Sequence, residues 1–210
     1  MSFRTVYNAD FTESPFPPVV EAEYSVSLQQ DLCAYDTYQK TYETWKRVLW
    51  MVLIAAGIAM NIYAYVNSDY SNTNCLVFCA ILIIMAGVII ARPISVRRNI
   101  EKAASELTDE RYRMQLYKDY IKITTVYTDE QMAKFIEEDP EYTKEDIPVT
   151  FIHLDNNEVK VIEKDDMYAV LIYRSNVYAI PKSALDGDKK AKADEVFTAL
   201  QDRFRPLKTK

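Results

Sequence analysis

The residues of this chain whose types could do chemistry are few and scattered. Its only histidine, His153, sits in the run VTFIHL, and its three cysteines are Cys33, Cys75 and Cys79. With no second histidine and no cysteine cluster, there is no metal-ligand spacing. His153 reads as a packing or surface residue. Cys75 and Cys79 lie one helical turn apart in an apolar segment and read as small packing residues. An odd, sparse set of cysteines gives no disulfide framework. The three glycines, Gly57, Gly87 and Gly187, cannot form a phosphate-cradling loop, and neither G-x-S-x-G nor H-E-x-x-H occurs. The sequence therefore predicts no catalytic residue, no cofactor, no metal site and no enzyme.

What is left is charge that could meet a partner. Much of the acidity lies between Asp129 and Asp146, including Glu137, Glu138, Asp139, Glu141, Glu145 and Asp146. The spacing is not that of a calcium loop, so a solvated loop is the simplest reading and a basic protein partner the sharper one. Lys182, after Pro181 at a strand end, is a candidate for a phosphate or carboxylate, with a structural lysine at a sheet edge the simpler reading. The tail residues Arg203, Arg205, Lys208 and Lys210 are candidates for anionic lipid, worth about 1 kcal/mol each near a charged surface. Basic residues form no long run or stripe, and the net charge is −6, which excludes general nucleic-acid binding.

The elements that position these residues divide by hydropathy. A mean hydropathy of −0.20 hides strong segregation, because charge is absent from Val48 to Ala91 except in one short linker. Val48–Val66 reads VLWMVLIAAGIAMNIYAYV and covers roughly 28 Å as a helix, close to the hydrocarbon thickness of a bilayer. Cys75–Ala91, CLVFCAILIIMAGVIIA, is also uncharged, and Asn74 and the snorkelling stem of Arg92 extend it. The polar linker Asn67–Asn74, with Asp69 as its one charge, is too short for a domain, so the two helices form an antiparallel transmembrane hairpin. No cleavable signal is expected ahead of it, and the first helix is expected to act as an uncleaved anchor.

Basic flanks set the expected orientation. Lys40, Lys46 and Arg47 precede the first span, Arg92, Arg97, Arg98 and Lys102 follow the second, and the linker has none. Both termini are expected to be cytoplasmic, with Trp45 and Trp50 at the inner interface and Tyr63, Tyr65 and Tyr70 at the outer one. Ala55, Ala56, Gly57 and Ala59 on the first span, and Ala86 and Gly87 on the second, offer small-residue packing surfaces. Asn61 is the one strongly polar side chain deep in a span, available to a neighbouring helix, to a second copy in a homo-oligomer, or to water at the outer interface. No Asp, Glu, Lys, Arg or His lies within either span, which disfavours a proton or ion pathway.

Residues 1–20 are expected to be an irregular arm. Residues 21–47 supply a strand, Glu21–Ser27, and then a juxtamembrane helix capped by Ser25 or Ser27. That helix carries a stripe of Leu28, Leu32, Tyr35, Tyr38, Tyr42 and Trp45. After the hairpin (48–91), Pro93 should kink or restart the chain. A second juxtamembrane helix from Ile94 follows within 92–110, with Val96, Ile100, Ala103 and Leu107 on one face. The two helices are expected to pack as a stalk. From Arg111 the period changes to two: RYRMQLY, YIKITTVY, VTFIHL, VKVIEK, MYAVLIYR and VYAIPK, separated by turn residues. An antiparallel meander of about six strands is expected in 111–210. Asp129–Glu138 forms a short helix within an insertion. Asp188–Phe204 forms an amphipathic helix with Ala193, Val196, Phe197, Leu200 and Phe204 on the covering face.

The order of two spans, a basic exit, a meander and an Ile-Pro-Lys strand end before an amphipathic helix resembles the YcxB-like family of bacterial membrane proteins. The resemblance is carried by VKVIEKDDMYAVLIYRSNVYAIPKSAL, Val159–Leu185, by VFTALQDRF, Val196–Phe204, and by the helix from Ser27 to Arg47. It covers most of the chain after Glu21, and the acidic stretch is longer than the family pattern. It implies a membrane α+β protein with a pleckstrin-homology-like cytoplasmic domain, and no enzymatic activity. The function expected on these grounds is a membrane-anchored interaction module that binds a protein or a lipid headgroup at the inner leaflet. An immunity or inhibitor protein against a toxin is the alternative, motivated by the acidic stretch. A membrane-bound enzyme ranks third.

Overall fold

The computed structural model describes residues 15–68, 70–106, 110–139, 143, 147–173 and 176–207. Asp69, Leu107, Glu141, Glu145, Asp146, Ser175, Lys208 and Lys210 lie outside them, as does most of the expected N-terminal arm. Tyr35–Glu106 forms one compact unit. The chain on either side of it, up to Ala34 and from residue 107, forms the other.

The sheet unit begins before the hairpin. Strand β1, Val20–Tyr24, alternates strictly, with Val20, Ala22 and Tyr24 buried and Glu21 and Glu23 outside. It pairs antiparallel with β2, Arg111–Leu116, placing Tyr24 opposite Tyr112 and Glu23 opposite Arg113. Arg113 binds Glu23 at 2.6 Å on the outer face, with Glu21 at 3.8 Å. The expected strand at 21–27 exists, but it is an edge of the same sheet rather than a separate lead-in. The whole hairpin is thus an insertion between two neighbouring strands.

Strand β3, Tyr120–Val126, pairs with β2 and with β4, Val149–His153, to complete a four-stranded sheet in the order β1-β2-β3-β4. Helix α4, Asp129–Glu138, lies within the β3–β4 connection. Its N-terminus is closed by a capping box in which Thr128 and Gln131 exchange hydrogen bonds. A second sheet has the order β7-β6-β5-β8, from β5 (Val159–Glu163), β6 (Met167–Ile172), β7 (Val177–Pro181) and β8 (Phe204–Arg205). The six expected strands all form. The single meander does not, because the chain changes sheets after β4. There Asn156 makes an Asx turn, its Oδ1 accepting from the Glu158 N–H at 2.9 Å. The closing helix is also shorter than expected. It spans Asp188–Thr198, and Phe204 lies beyond it in β8, which runs parallel to β5.

The two sheets and the last helix, α5, enclose one core. Met114, Leu116, Ile121, Ile152, Val161, Tyr168, Val170, Ile180 and Phe197 are almost wholly removed from solvent, and Ala193, Val196 and Leu200 join them. Of the five residues expected on the helix's covering face, these three and Phe197 are buried.

Leu28–Asn67 runs as one 40-residue helical column, of which the part from Tyr35 belongs to the other unit. It consists of α1 (Leu28–Tyr38), a π-turn (Gln39–Glu43) and α2 (Thr44–Asn67). Ser27 caps it in a box with Gln30, the two residues exchanging bonds at 3.1 and 3.3 Å. Helix α3, Asn74–Glu106, is 33 residues long and continues through Pro93, so the chain does not restart there. Pro93 instead occupies a seam position, and its missing N–H leaves the Ile89 carbonyl without its intrahelical donor.

The seam itself is a heptad. On α3 the half-buried or buried positions are Cys75, Cys79, Leu82, Ala86, Ile89, Pro93, Val96 and Ile100. On α2 they include Met51, Ile54, Ile58, Asn61 and Tyr65. A spacing of three and four keeps one seam facing the partner in a left-handed antiparallel pair. Gly57 lies tight against this seam, where a Cβ would stand 3.1 Å from Leu82 Cδ1 and the leucine would have to shift. The Cys79 thiol donates to the Ile58 carbonyl at 3.8 Å. Ala55, Ala56 and Ala59 face outward instead, and nothing lies within 4 Å of where a Gly87 Cβ would point. Asp36 and Arg97 meet at 3.8 Å, while Ala103 is exposed.

Candidate functional site

The charged candidates read from the sequence are either exposed or committed to structure. Glu137 and Asp139 are exposed at the C-terminal end of α4, next to Glu138. Lys182 and Arg203 are committed to structure. Lys182 Nζ binds Glu163 Oε1 at 2.8 Å, with the side chains only 13% and 16% exposed, and stands 5.4 Å from the centre of the Tyr168 ring. Glu163 Oε2 also accepts from the Leu207 N–H at 3.0 Å. Burial works against its charge, but the Lys182 bond and the Leu207 N–H outweigh it and hold its carboxyl below the usual range. Beneath them the Tyr168 hydroxyl donates to Asp194 on α5 at 2.5 Å. Arg203 spans the sheet change, donating to the Leu154 and Asn156 carbonyls at 2.5 and 2.8 Å. Arg205 is the exposed basic residue of this group, on the short strand β8.

A second polar group escapes the sequence reading. At the β1–β2 edge, the rings of Tyr24 and Tyr112 stand 5.8 Å apart, and the Tyr112 hydroxyl donates to Glu110 Oε2. Burial, then the nearby Asp31 carboxylate, then Tyr178 push the Tyr24 hydroxyl well above its usual range. Burial and the bond to Glu110 do the same to Tyr112. Asp31 lies in the first turn of α1, where the helix dipole favours its charge. Burial and the Glu110 carboxylate prevail, and its pKa is raised from 3.8 to about 6. Gln30, its neighbour, reaches Asp166 at 3.4 Å. The arrangement holds a carboxyl ready to bind a proton near neutral pH. It presents no nucleophile–base pair. Sequence reasoning missed it because Asp31 and Glu110 are separated by the entire hairpin. Only the pairing of VEAEY with RYRMQL, acidic outward residues against basic ones, carries the signal.

Asn61 does not reach across the seam: its amide donates to the Gly57 carbonyl of its own helix at 2.8 Å. His153 ends β4, with its ring 6.5 Å from that of Tyr120. Among the described residues no group of three or more His, Cys, Asp and Glu side chains is placed to hold a metal. No protein-family model, curated protein or solved structure matches the chain.

Proposed function

We propose that this chain is an integral membrane protein whose hairpin crosses the bilayer twice and whose sheet unit is a cytoplasmic interaction module rather than an enzyme. The observation that carries the reading is the exposure of the hairpin. In each long helix the most apolar 18-residue window is only 6% buried within the chain. A soluble protein buries such helices in its core, because each large aliphatic side chain gains about 1.5–3 kcal/mol on leaving water. Here lipid takes the place of that core. The β1–β2 pairing supports an even number of crossings. Tyr24 and Tyr112 are partners in one sheet, so the chain entering the hairpin and the chain leaving it stand on the same side. The basic flanks from Lys40 to Arg47 and from Arg92 to Lys102 favour the cytoplasmic side.

Four strands, then three, then a helix is the order expected of a pleckstrin-homology-like domain, which supports the resemblance to YcxB-like proteins. The binding-module reading rests on the lack of catalytic spacing and on the exposed charge of Glu137, Asp139 and Arg205. Two measurements test the reading. The chain should stay in the pellet after alkaline carbonate extraction, and a cysteine at Asn72 in a Cys-free background should react from outside intact cells while one at Arg205 does not. Release by carbonate, or labelling at Arg205, would overturn it.

A further inference from the structure

Strand β8 is joined to the sheet unit by few contacts and is reached through a strained turn. Strand β5 pairs with β6 over five residues, Val159 to Glu163, but with β8 over only two, Val161 with Phe204 and Ile162 with Arg205. Pro206 has no N–H, so it gives the parallel ladder no donor with which to continue. The other holds on the segment are the Phe204 ring, 6.2 Å from that of Phe197, the Leu207 N–H on Glu163 at 3.0 Å, and Arg203 on the Leu154 and Asn156 carbonyls. All of them follow Gln201. Helix α5 ends at Thr198 and Leu200 is buried, so the chain turns back towards β5 through Gln201 and Asp202, both exposed. Gln201 makes that turn at φ +53°, where a Cβ crowds the following carbonyl oxygen and glycine is the usual occupant. Its side chain makes no hydrogen bond among the described residues that would offset the strain.

We propose that Asp202–Leu207 is exchanged between two copies of this chain, with β8 of each copy pairing with β5 of the other and Gln201 as the hinge. Every contact of the segment is remade in the exchanged dimer, so those contacts do not decide between the two forms. The hinge does. Opening it lets Gln201 leave the left-handed region, which disfavours the closed form about tenfold, and a dimer opens two hinges, for about a hundredfold. Against this stands the effective concentration of a tethered segment, in the millimolar range. The quotient places half-exchange at about ten micromolar chain. Short hinges under strain are where such exchange is expected. The inference does not rest on what surrounds the hairpin, since hinge, segment and acceptor strand all belong to the sheet unit.

The test uses the full chain with Cys33, Cys75 and Cys79 replaced by alanine. Two differently tagged forms, Ile162→Cys and Arg205→Cys, are co-expressed, purified together and oxidised at about 100 µM, well above the half-exchange value. A disulfide-linked heterodimer should form, because register partners on paired strands lie within disulfide reach. Glu195→Cys, exposed on α5, takes the place of Ile162→Cys as a collision control and should link about tenfold less. One chain carrying both Ile162→Cys and Arg205→Cys should close on itself when dilute, which checks the register. Glycine adopts φ +53° without strain, so Gln201→Gly should lower the dimerisation constant about a hundredfold. Linkage no greater than in the Glu195→Cys control would overturn the proposal. So would a heterodimer yield that Gln201→Gly leaves unchanged, failure of the doubly substituted chain to close, or a dimer seen by native mass spectrometry without the 162–205 bond. Carbonate extraction of the same preparation bears on the membrane reading alone, so the failure of either is told apart from the failure of the other.

Discussion

Ile84 on α3 is 67% exposed, while Ile180 on β7 is fully buried. The same contrast separates the two units throughout. The hairpin buries Ile54, Cys75 and Cys79 along a thin seam and turns Leu53, Met60, Ile83 and Val88 outward. The sheet unit turns its aliphatic residues inward and keeps charges such as Glu137 and Arg205 at the surface, with Lys182 and Glu163 joined in a half-buried bond. The sheet unit carries its own solvent-excluding core. The hairpin has none and depends on what surrounds it.

Phe197→Ala should break this contrast most sharply, because it opens a cavity only in the unit that has a core. It should cost the sheet unit about 3–5 kcal/mol, seen as a lower melting point, while carbonate resistance is kept. Ile84→Ala is the mirror control and should change neither by more than about 0.5 kcal/mol. Next in size is Lys182→Met, which leaves the Glu163 carboxylate enclosed without its cation and should cost about 2 kcal/mol. Adding Glu163→Gln should restore most of the loss. Gly57→Val tests the hairpin in the same way. Its side chain meets Leu82, and overpacking of about 1 kcal/mol or more should appear as faster hydrogen exchange along α2 and α3 with the sheet unit unaffected.

The smallest effect concerns two carboxyls whose responses to pH have opposite sign. Glu163 is held below its usual range, so its contribution is present above that range and is lost as pH falls through its folded value. Asp31 is raised from 3.8 to about 6, so the folded state binds its proton more tightly and its contribution is lost as pH rises between those values. Asp31→Asn should therefore raise the melting temperature at pH 7.5 by about 2 °C and remove the stabilisation otherwise gained on acidification to pH 5. No change in slope would show that Asp31 does not titrate in that range.

Much of this architecture was legible in the sequence because periodicity survives without tertiary context. The hairpin, the six strands after Arg111, α4 and most of the α5 face follow from spacing alone. What failed were features set by partners far away in the chain. VEAEY reads as a strand, yet nothing local says that its partner is RYRMQL, beyond an 86-residue excursion from Tyr24 to Glu110. Pro93 allows a kink or a restart on local grounds, and of the two the restart does not occur, because a long apolar helix with a packed seam continues through it. The break in the meander after β4 depends on the Asn156 turn and on Arg203 clamping two carbonyls, and Arg203 reads from sequence only as a tail charge. Lys182 reads from the sequence as a structural lysine or one that meets a phosphate or carboxylate, but nothing local says that the carboxylate it meets is Glu163 of β5.

The central claim is that lipid surrounds the hairpin, and the chain's own two tryptophans test it without substitution. Trp45 and Trp50 are 75% and 54% exposed, both on the first helical column and near its expected inner interface. In vesicles of brominated phospholipid their fluorescence should be blue-shifted and strongly quenched, more so by bromines placed high on the acyl chain than by those near its end. Unquenched, red-shifted emission from both tryptophans would contradict the account.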